Sequence, residues 1–423
     1  MRRLSGGLAA AVVLKMVFHA LYVPAFEGPD EPQHLARVMA FSRGSIREGL
    51  EGRWVESDVG AAVLAHPCPH PELGCPSYIS SPGVFNLLRT APRTPRPASR
   101  FPNEEAKQPP LFYLLAGILL RPFGTRLDPA SALLIVRLLS VALVAAALFG
   151  PLRRLFRDSP SLELVGLVAL LSPGAGEAFA RCSNDAAVFL WAALVLAALD
   201  GHPPTWRFAL LLAAGPLLKL TALPISAFAV AALWVDRRRS AAVAAAMASG
   251  LFVPVQAWRG WSTGGALELQ RQRPAIGETF AGWLLGLART AYTLLKAPFW
   301  AMGWSLLRPP SALVASYFGV LIAVLFGIRP AQRPRRLLPH VLAAGVVLAG
   351  TAIFAVATRR YFGVWGGVTG WYVWDWSPWL AVAARDLFRS RQGWFGPILA
   401  AESLFVLAAN AVWLVQSATA YGQ

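Results

Sequence analysis

Eleven apolar blocks dominate the chain, and most have the roughly 15 to 20 residues that a membrane-spanning helix needs. They cover residues 4–25, 131–151, 161–176, 184–200, 206–218, 221–235, 240–258, 311–328, 338–358, 368–384 and 394–416. Hydrophobic residues make up 56% of the 423 positions and charged residues only 14%, whereas about a quarter of a soluble protein is charged. The sequence therefore predicts an all-α fold: a polytopic transmembrane helix bundle of about eleven spans, in one membrane domain over residues 1–423.

Arginine supplies most of the net charge of +17 and is concentrated in the short segments between blocks. Loops rich in Lys and Arg stay on the cytoplasmic side of a membrane. The clusters expected there are Arg2-Arg3, Arg153-Arg154 with Arg157, Arg207, Arg237–Arg239, Arg329 with Arg333, Arg335-Arg336, and Arg385 with Arg389 and Arg391. This pattern predicts a cell (inner or plasma) membrane protein with a cytoplasmic N-terminus and an uncleaved first anchor. The membrane topology also explains the positive net charge, so no nucleic-acid partner is expected.

The same topology leaves two large extracytoplasmic regions, residues 27–130 and 259–310. The apolar run Pro109–Leu120 in the first region is too short to span and is predicted to be an interfacial or re-entrant helix. A tight hairpin over Arg207–Val235 would keep both of its basic ends inside and lift Lys219 to the outer half of the membrane. A further outer segment, 359–379, contains a tryptophan cluster that is either an interfacial belt or a wall that binds sugar or lipid. Its members are Trp365, Trp371, Trp374, Trp376 and Trp379.

The first outer region opens with Gly28-Pro-Asp-Glu-Pro-Gln-His34, directly after the first predicted span. Two adjacent carboxylates at a water–lipid boundary indicate a function, since a charge at membrane depth costs about 2.5–3.5 kcal/mol. In a simpler interpretation Asp30 and Gln33 form a capping box that only begins a helix. His34 lies one turn after Asp30, where it either orients that carboxylate or is a polar interfacial residue.

Other ionisable residues are expected to project to the same outer side. They are Glu104, Glu105, Lys107, Arg181, Asp185, Lys219, Arg359 and Arg360. Carboxylates there suit a general base or a metal ligand, and basic groups suit a phosphate. The simpler alternatives are that Lys219 snorkels from a helix end and that Asp185 is an N-cap. Lys15 and His19, a turn apart inside the first block, are expected to face other helices.

Several short motifs resemble, in the same order, the GT-C superfamily of membrane glycosyltransferases, which use polyprenyl-phosphate-linked sugars. They are Gly28-Pro-Asp-Glu-Pro-Gln-His34, Glu105-Ala-Lys-Gln-Pro-Pro-Leu-Phe-Tyr113, Arg137-Leu-Leu-Ser140, Arg181-Cys-Ser-Asn-Asp-Ala186, Leu217-Leu-Lys-Leu-Thr221 and Phe299-Trp-Ala-Met-Gly-Trp304. The chain departs from the family at Lys107, where a histidine is common. It also has Gly370-Trp-Tyr372 where Gly-Arg-Tyr is frequent, so a donor-binding arginine is either lost or moved to Arg359 or Arg360.

The resemblance implies transfer of a sugar from a polyprenyl-phosphate donor to an unknown glycan, lipid or protein acceptor at the extracytoplasmic face, in the service of the cell envelope. The implied catalytic residues are Asp30, Glu31 and Glu105. The implied substrate-binding residues are His34, Lys107, Arg181, Asn184, Asp185, Lys219, Arg359, Arg360 and Tyr372. The resemblance implies no definite cofactor, and Asp30 and Glu105 are the candidate ligands for a divalent metal. The alternatives are a transporter or lipid flippase, and a non-catalytic relative that only binds polyprenyl lipid.

The three cysteines are divided between two regions of the chain. Cys68 and Cys75 lie in the first outer region, and Cys182 is alone. A pair of cysteines in an extracytoplasmic loop predicts a disulfide, Cys68–Cys75. The alternative is a metal site that adds His66 and His70.

Overall fold

The fold was analysed in a computed structural model that describes residues 2–23, 25–26, 28, 30–52, 54–55, 57–65, 101–201, 203–262, 279–296, 299, 309–326, 334–362, 372–388 and 395–421. These residues are almost entirely helical, which confirms the predicted all-α class. The helices of the first part are α1 (Arg2–Tyr22), α2 (Glu31–Ser42), α3 (Ile46–Glu51), α4 (Ser57–Ala65), α5 (Leu111–Leu120), α6 (Pro129–Ala147), α7 (Pro160–Leu170), α8 (Pro173–Phe179) and α9 (Asp185–Gly201). The remaining helices are α10 (Thr205–Leu218), α11 (Leu223–Val235), α12 (Arg239–Ser262), α13 (Phe280–Lys296), α14 (Ser311–Phe326), α15 (Pro334–Phe362), α16 (Tyr372–Phe388) and α17 (Phe395–Tyr421).

Each predicted apolar block coincides with helix, but few of these helices could cross a membrane unaided. Among the described residues, three are long and apolar enough: Arg3–Tyr22, Pro129–Leu155 and Gly396–Ala418. The second of these is α6 continued through a π-helical stretch, Leu148–Leu152, and one further turn. The chain is thus a helical membrane protein by length and composition. The count of eleven spans stays a prediction.

The third predicted span is broken into two helices. Helices α7 and α8 meet at an angle of 77°, and Ser172 begins α8 by accepting a hydrogen bond from the backbone N–H of Ala175. The break frees the carbonyl of Leu171, which accepts hydrogen bonds from Lys15 Nζ and, at 2.9 Å, from Asn410 Nδ2. Polar side chains from neighbouring helices can satisfy an interrupted helix inside a membrane in this way.

Lys15 and His19 do face other helices, as expected. Lys15 reaches α7, and the His19 ring stacks on Trp413 of α17 at a centroid distance of 4.4 Å. His19 also packs so closely on α8 that a Cβ at Gly176 would lie 2.7 Å from the imidazole. Both side chains therefore lie where α1 packs against α17 and the broken helix formed by α7 and α8.

The described part of residues 27–130 contains helices α2 to α5, and α2 is buried within the protein core. A two-residue antiparallel pairing joins two segments of this region, with Trp54 opposite Pro102 and Val55 opposite Phe101. Helix α5 crosses α2 closely, since a Cβ at Gly117 would lie 2.5 Å from Phe41 Cβ. The other face of α5 is exposed and apolar, and its interfacial or re-entrant position stays a prediction. Its exposed residues are Leu114, Leu115, Ile118 and Leu119.

Helices α10 and α11 are separated at Lys219, whose backbone is extended with φ −167° and ψ 146°. Both helices pack along α12 far more than against each other. Both helices therefore lie against α12 on either side of an interruption at Lys219, and the tight hairpin predicted over 207–235 stays a prediction. The interruption itself was predicted correctly, and it brings the Lys219 side chain into the protein, where only 4% of the residue is exposed.

Candidate functional site

The stretch Gly28 to Glu31 ends in a folded-back carboxylate at the start of α2. Glu31 Oε2 accepts a hydrogen bond from the backbone N–H of Gly28 at 3.1 Å. A Cβ at Gly28 would lie 2.5 Å from Glu31 Cδ, so only glycine allows this approach. Asp30 takes up the left-handed conformation with φ 60° and its side chain makes no capping hydrogen bond. The capping box is therefore absent, and Asp30 has a backbone conformation that is uncommon for a residue other than glycine.

Glu31 forms the most completely satisfied ion pair in the described part of the chain. Its two carboxylate oxygens accept hydrogen bonds from Arg137 Nε at 2.8 Å and Nη2 at 2.6 Å. The backbone N–H of Cys182 donates to Oε1 at 2.9 Å. Burial alone would raise the pKa of Glu31, but the Arg137 charge and these hydrogen bonds lower it below its usual value. A carboxylate with so many donors is a poor base and a good structural anchor.

Arg137 extends this anchor to the end of the first helix. Its Nη1 donates to the carbonyls of Ala20 at 3.1 Å and Val23 at 2.6 Å. One guanidinium on α6 therefore fixes both the end of α1 and the start of α2. This geometry determines where Asp30 stands.

His34 lies one turn into α2 and is buried against α5. Its Nδ1 is 2.6 Å from the Tyr113 hydroxyl, and its Nε2 is 4.0 Å from Glu105 Oε2. Burial lowers the pKa of His34 to about 4, against the opposing charge of Glu105, so the imidazole is neutral at physiological pH. Arg37, one turn further, donates to the carbonyls of Glu105 and Gln108 and lies 4.0 Å from the centre of the Tyr113 ring.

A second charged group lies where α9 begins. Asp185 Oδ2 accepts hydrogen bonds from Arg181 Nη2 at 2.6 Å and from the Ser183 hydroxyl at 2.7 Å. Its other oxygen, Oδ1, pairs with Lys219 Nζ. The neighbouring Asn184 donates from Nδ2 to the carbonyl of Leu218 at 2.7 Å. The start of α9 and the break after α10 are thus tied together by adjacent side chains.

Helix α16 completes the surroundings of Lys219. Asp375 Oδ2 lies 3.3 Å from Lys219 Nζ and accepts a hydrogen bond from the Thr221 hydroxyl at 2.7 Å. Trp376 donates from its indole nitrogen to the Thr221 carbonyl. The ammonium lies 4.5 Å from the centre of the Tyr372 ring, at a distance typical of a cation–π contact.

The two groups of residues form one electrostatic site. The charges of Glu105, Arg181, Asp185 and Lys219 all act on His34. Burial lowers the pKa of Arg181, but Asp185, Asp30 and Glu31 raise it further than burial lowers it. Asp30 therefore lies close enough to act on the Arg181 guanidinium, although it precedes a different helix. Within this site the cations Arg181 and Lys219 interact with carboxylates that include Asp30, Asp185 and Asp375.

Most of the predicted site residues described here lie in this site. They are Asp30, Glu31, His34, Glu105, Arg181, Asn184, Asp185, Lys219 and Tyr372. The Lys219 ammonium is buried and paired, so the snorkelling alternative does not apply, and Asp185 binds two cations and a hydroxyl. The side chains of Lys107, Arg359 and Arg360 lie outside the described residues, as do Cys68 and Cys75.

Sequence reasoning missed three members of the site. Asp375 stands between two tryptophans in a predicted span, and an ionisable residue at that depth was itself a signal of function. Arg37 carried no comparable signal, because its contacts with Glu105 and Gln108 depend on long-range packing. Ser183 donates to Asp185, two residues away, and a single serine at that position is not distinctive.

A metal ion finds little support in this arrangement. Among the described residues, no group of three or more His, Cys, Asp or Glu is placed to hold one. Glu31 is occupied by Arg137, and Asp185 by Arg181 and Lys219.

Comparison with protein-family models, curated proteins and solved structures gave no match for this chain.

Proposed function

We propose that this chain is an integral-membrane glycosyltransferase of the GT-C type, with about eleven spans and a cytoplasmic N-terminus. It moves a sugar from a polyprenyl-phosphate donor to an acceptor at the extracytoplasmic face of the cell membrane.

One observation carries the proposal: carboxylates and cations from four distant segments converge on a single buried site. These segments are the start of α2, the turn before α5, the start of α9 and the break at Lys219.

Arg181 and Lys219 are the proposed phosphate ligands. Both are at least nine-tenths buried, so their charges are screened less than charges in water and act strongly on an anion. Asp185 holds both cations in place. The polyprenyl phosphate that leaves during transfer carries more negative charge than the bound donor, so fixed cations favour the transition state.

Asp30 is the proposed general base. It is only partly buried, and it lies within electrostatic reach of Arg181, so an acceptor hydroxyl could meet it beside the phosphate. Glu105 is the second candidate, because it lies near His34 at the same face. Glu31 is reassigned from a catalytic to a positioning role, since Arg137 and two backbone N–H groups occupy both of its oxygens.

The exposed face of α5 suits the apolar part of a lipid substrate. Leu115 and Ile118 are each more than half exposed on it, while Tyr113 on the opposite face contacts His34. A single short helix thus has lipid-compatible side chains on one side and a site residue on the other. This arrangement supports a substrate whose tail lies in the membrane and whose reacting group enters the protein.

The test is turnover of a lipid-linked sugar in liposomes that contain the purified chain. A panel of C55 polyprenyl-phosphate hexoses and pentoses is supplied with a membrane extract as acceptor. The expected result is loss of the sugar from one lipid and accumulation of bare polyprenyl phosphate. Liposomes that contain the Lys219→Met variant are the control, and should show no accumulation above protein-free liposomes.

The same liposomes separate the enzyme from its alternatives. A transporter or flippase would move the intact lipid-linked sugar between leaflets, which a membrane-impermeant sugar-modifying reagent detects without any cleavage. A non-catalytic relative would bind the lipid and leave it unchanged. Movement or binding without cleavage, across the whole panel, would contradict the proposed function.

A further inference from the structure

Three buried side-chain amide or carboxyl oxygens in the described residues have no hydrogen-bond partner. They are Gln33 Oε1, Asn184 Oδ1 and Asp375 Oδ1. All three side chains belong to segments that build the candidate site: Gln33 precedes His34, Asn184 precedes Asp185, and Asp375 contacts Lys219. A buried acceptor without a donor costs roughly 1–3 kcal/mol. Such atoms in a natural protein call for a ligand or a water to complete them.

Asn184 and Asp375 lie on either side of the same interruption. Asn184 Nδ2 donates to the carbonyl of Leu218, directly before Lys219, and this bond fixes which amide atom is the free oxygen. Asp375 Oδ2 accepts from Thr221, two residues after Lys219, and contacts the Lys219 ammonium. Asn184 is 1% exposed and Asp375 is fully buried. Each side chain therefore uses one polar atom to hold the interruption and leaves its other oxygen available.

The chemistry of these two oxygens selects their ligand. The Asn184 oxygen accepts, and so does the Asp375 oxygen when ionised beside Lys219, so the missing group donates a hydrogen bond. Hydroxyl, ammonium and amide N–H groups are such donors. The cations nearby already serve Asp185 and Asp375. A polyol meets the need, because each of its hydroxyls donates to one acceptor and can accept from another group in turn.

We propose that Asp375 and Asn184 form a subsite that recognises the hydroxyls of a sugar ring beside the phosphate ligand Lys219. This rests on the proposed function, which it deepens by naming a residue outside every motif of the sequence. In a lipid-linked donor the sugar is bonded directly to the phosphate. A phosphate at Lys219 would therefore present the ring to acceptors that lie on both sides of that lysine.

The first measurement keeps the protein unchanged and alters the ligand. Methyl hexosides and their monodeoxy analogues are titrated onto the purified chain, with intrinsic tryptophan fluorescence as the readout, since Trp376 adjoins Asp375. We expect loss of one particular hydroxyl to weaken binding about tenfold, because hydrogen bonds to charged groups are the stronger ones. Asp375→Asn should weaken the parent glycoside by a similar factor and abolish the difference between parent and deoxy analogue.

Ser249→Ala is the matched control, because Ser249 also has a buried oxygen without a partner but belongs to α12, which contributes none of the residues of the proposed subsite. It should leave glycoside binding unchanged. If every deoxy analogue binds wild type as tightly as its parent, or if only ordered water occupies both oxygens at saturating glycoside in a cryo-EM map, the subsite is rejected. The wild-type titration decides this even if Asp375→Asn fails to fold.

Lipid probes distinguish a donor sugar from an acceptor sugar, and separate the subsite from the enzymatic activity. Binding of a C55 polyprenyl phosphate, with and without a hexose, is measured by native mass spectrometry. For a donor sugar, Asp375→Asn should weaken only the hexose-bearing lipid; an equal loss for both lipids would reject the subsite in favour of a structural role. If free glycosides alone show the Asp375 dependence, the subsite binds an acceptor sugar. Glycoside binding without lipid turnover would reject the enzymatic function and support the subsite. Turnover that is unchanged by substitution of Asp375 and Asn184 would support the enzymatic function and reject the subsite.

Discussion

Glu31 and Arg137 are 106 positions apart in the chain and form a two-point ion pair that is almost completely buried, with N···O distances of 2.8 and 2.6 Å. The pair joins the start of α2 to α6, and Arg137 also binds the carbonyls of Ala20 in the last turn of α1 and of Val23 just after it. Three separate elements therefore depend on one guanidinium. Asp30, the proposed base, directly precedes Glu31 and takes its position from this contact.

Replacing one member of this ion pair should lower the folding stability more than replacing both members together. Either Glu31→Gln or Arg137→Met leaves one buried charge without its partner, which typically costs about 3–5 kcal/mol. We expect both single variants to unfold at clearly lower temperature than wild type in detergent. The double variant should be less destabilised than the sum of the two singles, because no unpaired charge remains.

Thermal unfolding of the four proteins in one detergent provides this comparison. Arg47→Met is the control, since Arg47 pairs with Glu51 at an exposed position where ion pairs contribute little. Additive effects in the double variant would show that the two side chains act independently, and would remove the ion pair as the link between α1, α2 and α6.

The course of the chain through helices was largely readable from the sequence. Length and hydropathy located each apolar block, because these properties are local. The break between α7 and α8 was missed although Ser172-Pro173 is a typical helix start. Helix α2 gave no periodic signal for a physical reason: all twelve of its residues are buried, including Glu31, His34 and Arg37. Period-based reasoning assumes that charged residues mark the exposed face, and here they are paired inside.

The site was only partly readable. Motifs indicated Asp30, Asp185 and Lys219, because a charge next to a predicted span is conspicuous. Their partners could not be derived, since the chain separates Lys219 from Asp375 by 156 positions and no spacing rule links them. Asp375 was hidden by its neighbours, whose indole rings suggested an interfacial belt. Trp374 and Trp376 are in fact buried against the protein core.

The buried His34 predicts a loss of stability in acid. The pKa of His34 is near 6.5 in the unfolded chain and about 4 in the folded protein. Above about pH 6.5 both states are neutral and His34 has no effect. As the pH falls from 6.5 to 4 the unfolded state binds the proton first, so folding stability decreases by as much as about 3 kcal/mol. Unfolding temperatures measured between pH 8 and pH 4.5 should follow this trend.

His34→Gln separates this contribution from that of other groups. Glutamine can still contact Tyr113 but does not titrate, so its unfolding temperature should fall less steeply over the same range. Tyr113→Phe removes the contact and keeps the titration, and is expected to lower stability at every pH. Parallel curves for wild type and His34→Gln would show that the pKa of His34 is the same in the folded and unfolded states, and would contradict its lowering by burial.

The proposed orientation predicts opposite labelling of two exposed arginines. Arg47 lies in α3 of the first outer region, and Arg157 follows α6. Each is replaced by cysteine in a chain that lacks Cys68, Cys75 and Cys182. A membrane-impermeant thiol reagent should label the Arg47→Cys protein in intact cells, and the Arg157→Cys protein only after lysis. The reverse pattern would place the candidate site on the cytoplasmic side.

The cysteine pair of the first outer region gives a simple chemical prediction. Cys68 and Cys75 should be found as one disulfide-linked species when unreduced peptides from isolated membranes are analysed by mass spectrometry. Cys182 is buried and free, and is the internal reference for an unmodified thiol. A short disulfide loop restricts a segment with little apolar surface of its own. Recovery of both cysteines as free thiols would leave the His66 and His70 metal site as the alternative.

The last prediction concerns Asp30 and the chemistry itself. Asp30→Asn keeps the shape of the side chain and removes its charge and basicity, and asparagine also adopts the left-handed conformation seen at φ 60°. General-base assistance is typically worth about 10²–10⁴ in rate. We therefore expect the variant to fold like wild type and to lose at least about a hundredfold of its sugar transfer in liposomes.

Asp128→Asn is the matched control for this loss. Asp128 is an exposed N-cap that accepts hydrogen bonds from the backbone N–H groups of Ala130 and Ser131, and asparagine caps helices about as well as aspartate. It should keep full activity and stability. Glu105→Gln is measured beside it, because Glu105 is the other carboxylate of the site that could take a proton from the acceptor. An active Asp30→Asn protein together with an inactive Glu105→Gln protein would transfer the role of base to Glu105, whose distance of 4.0 Å from His34 Nε2 would then define the catalytic pair.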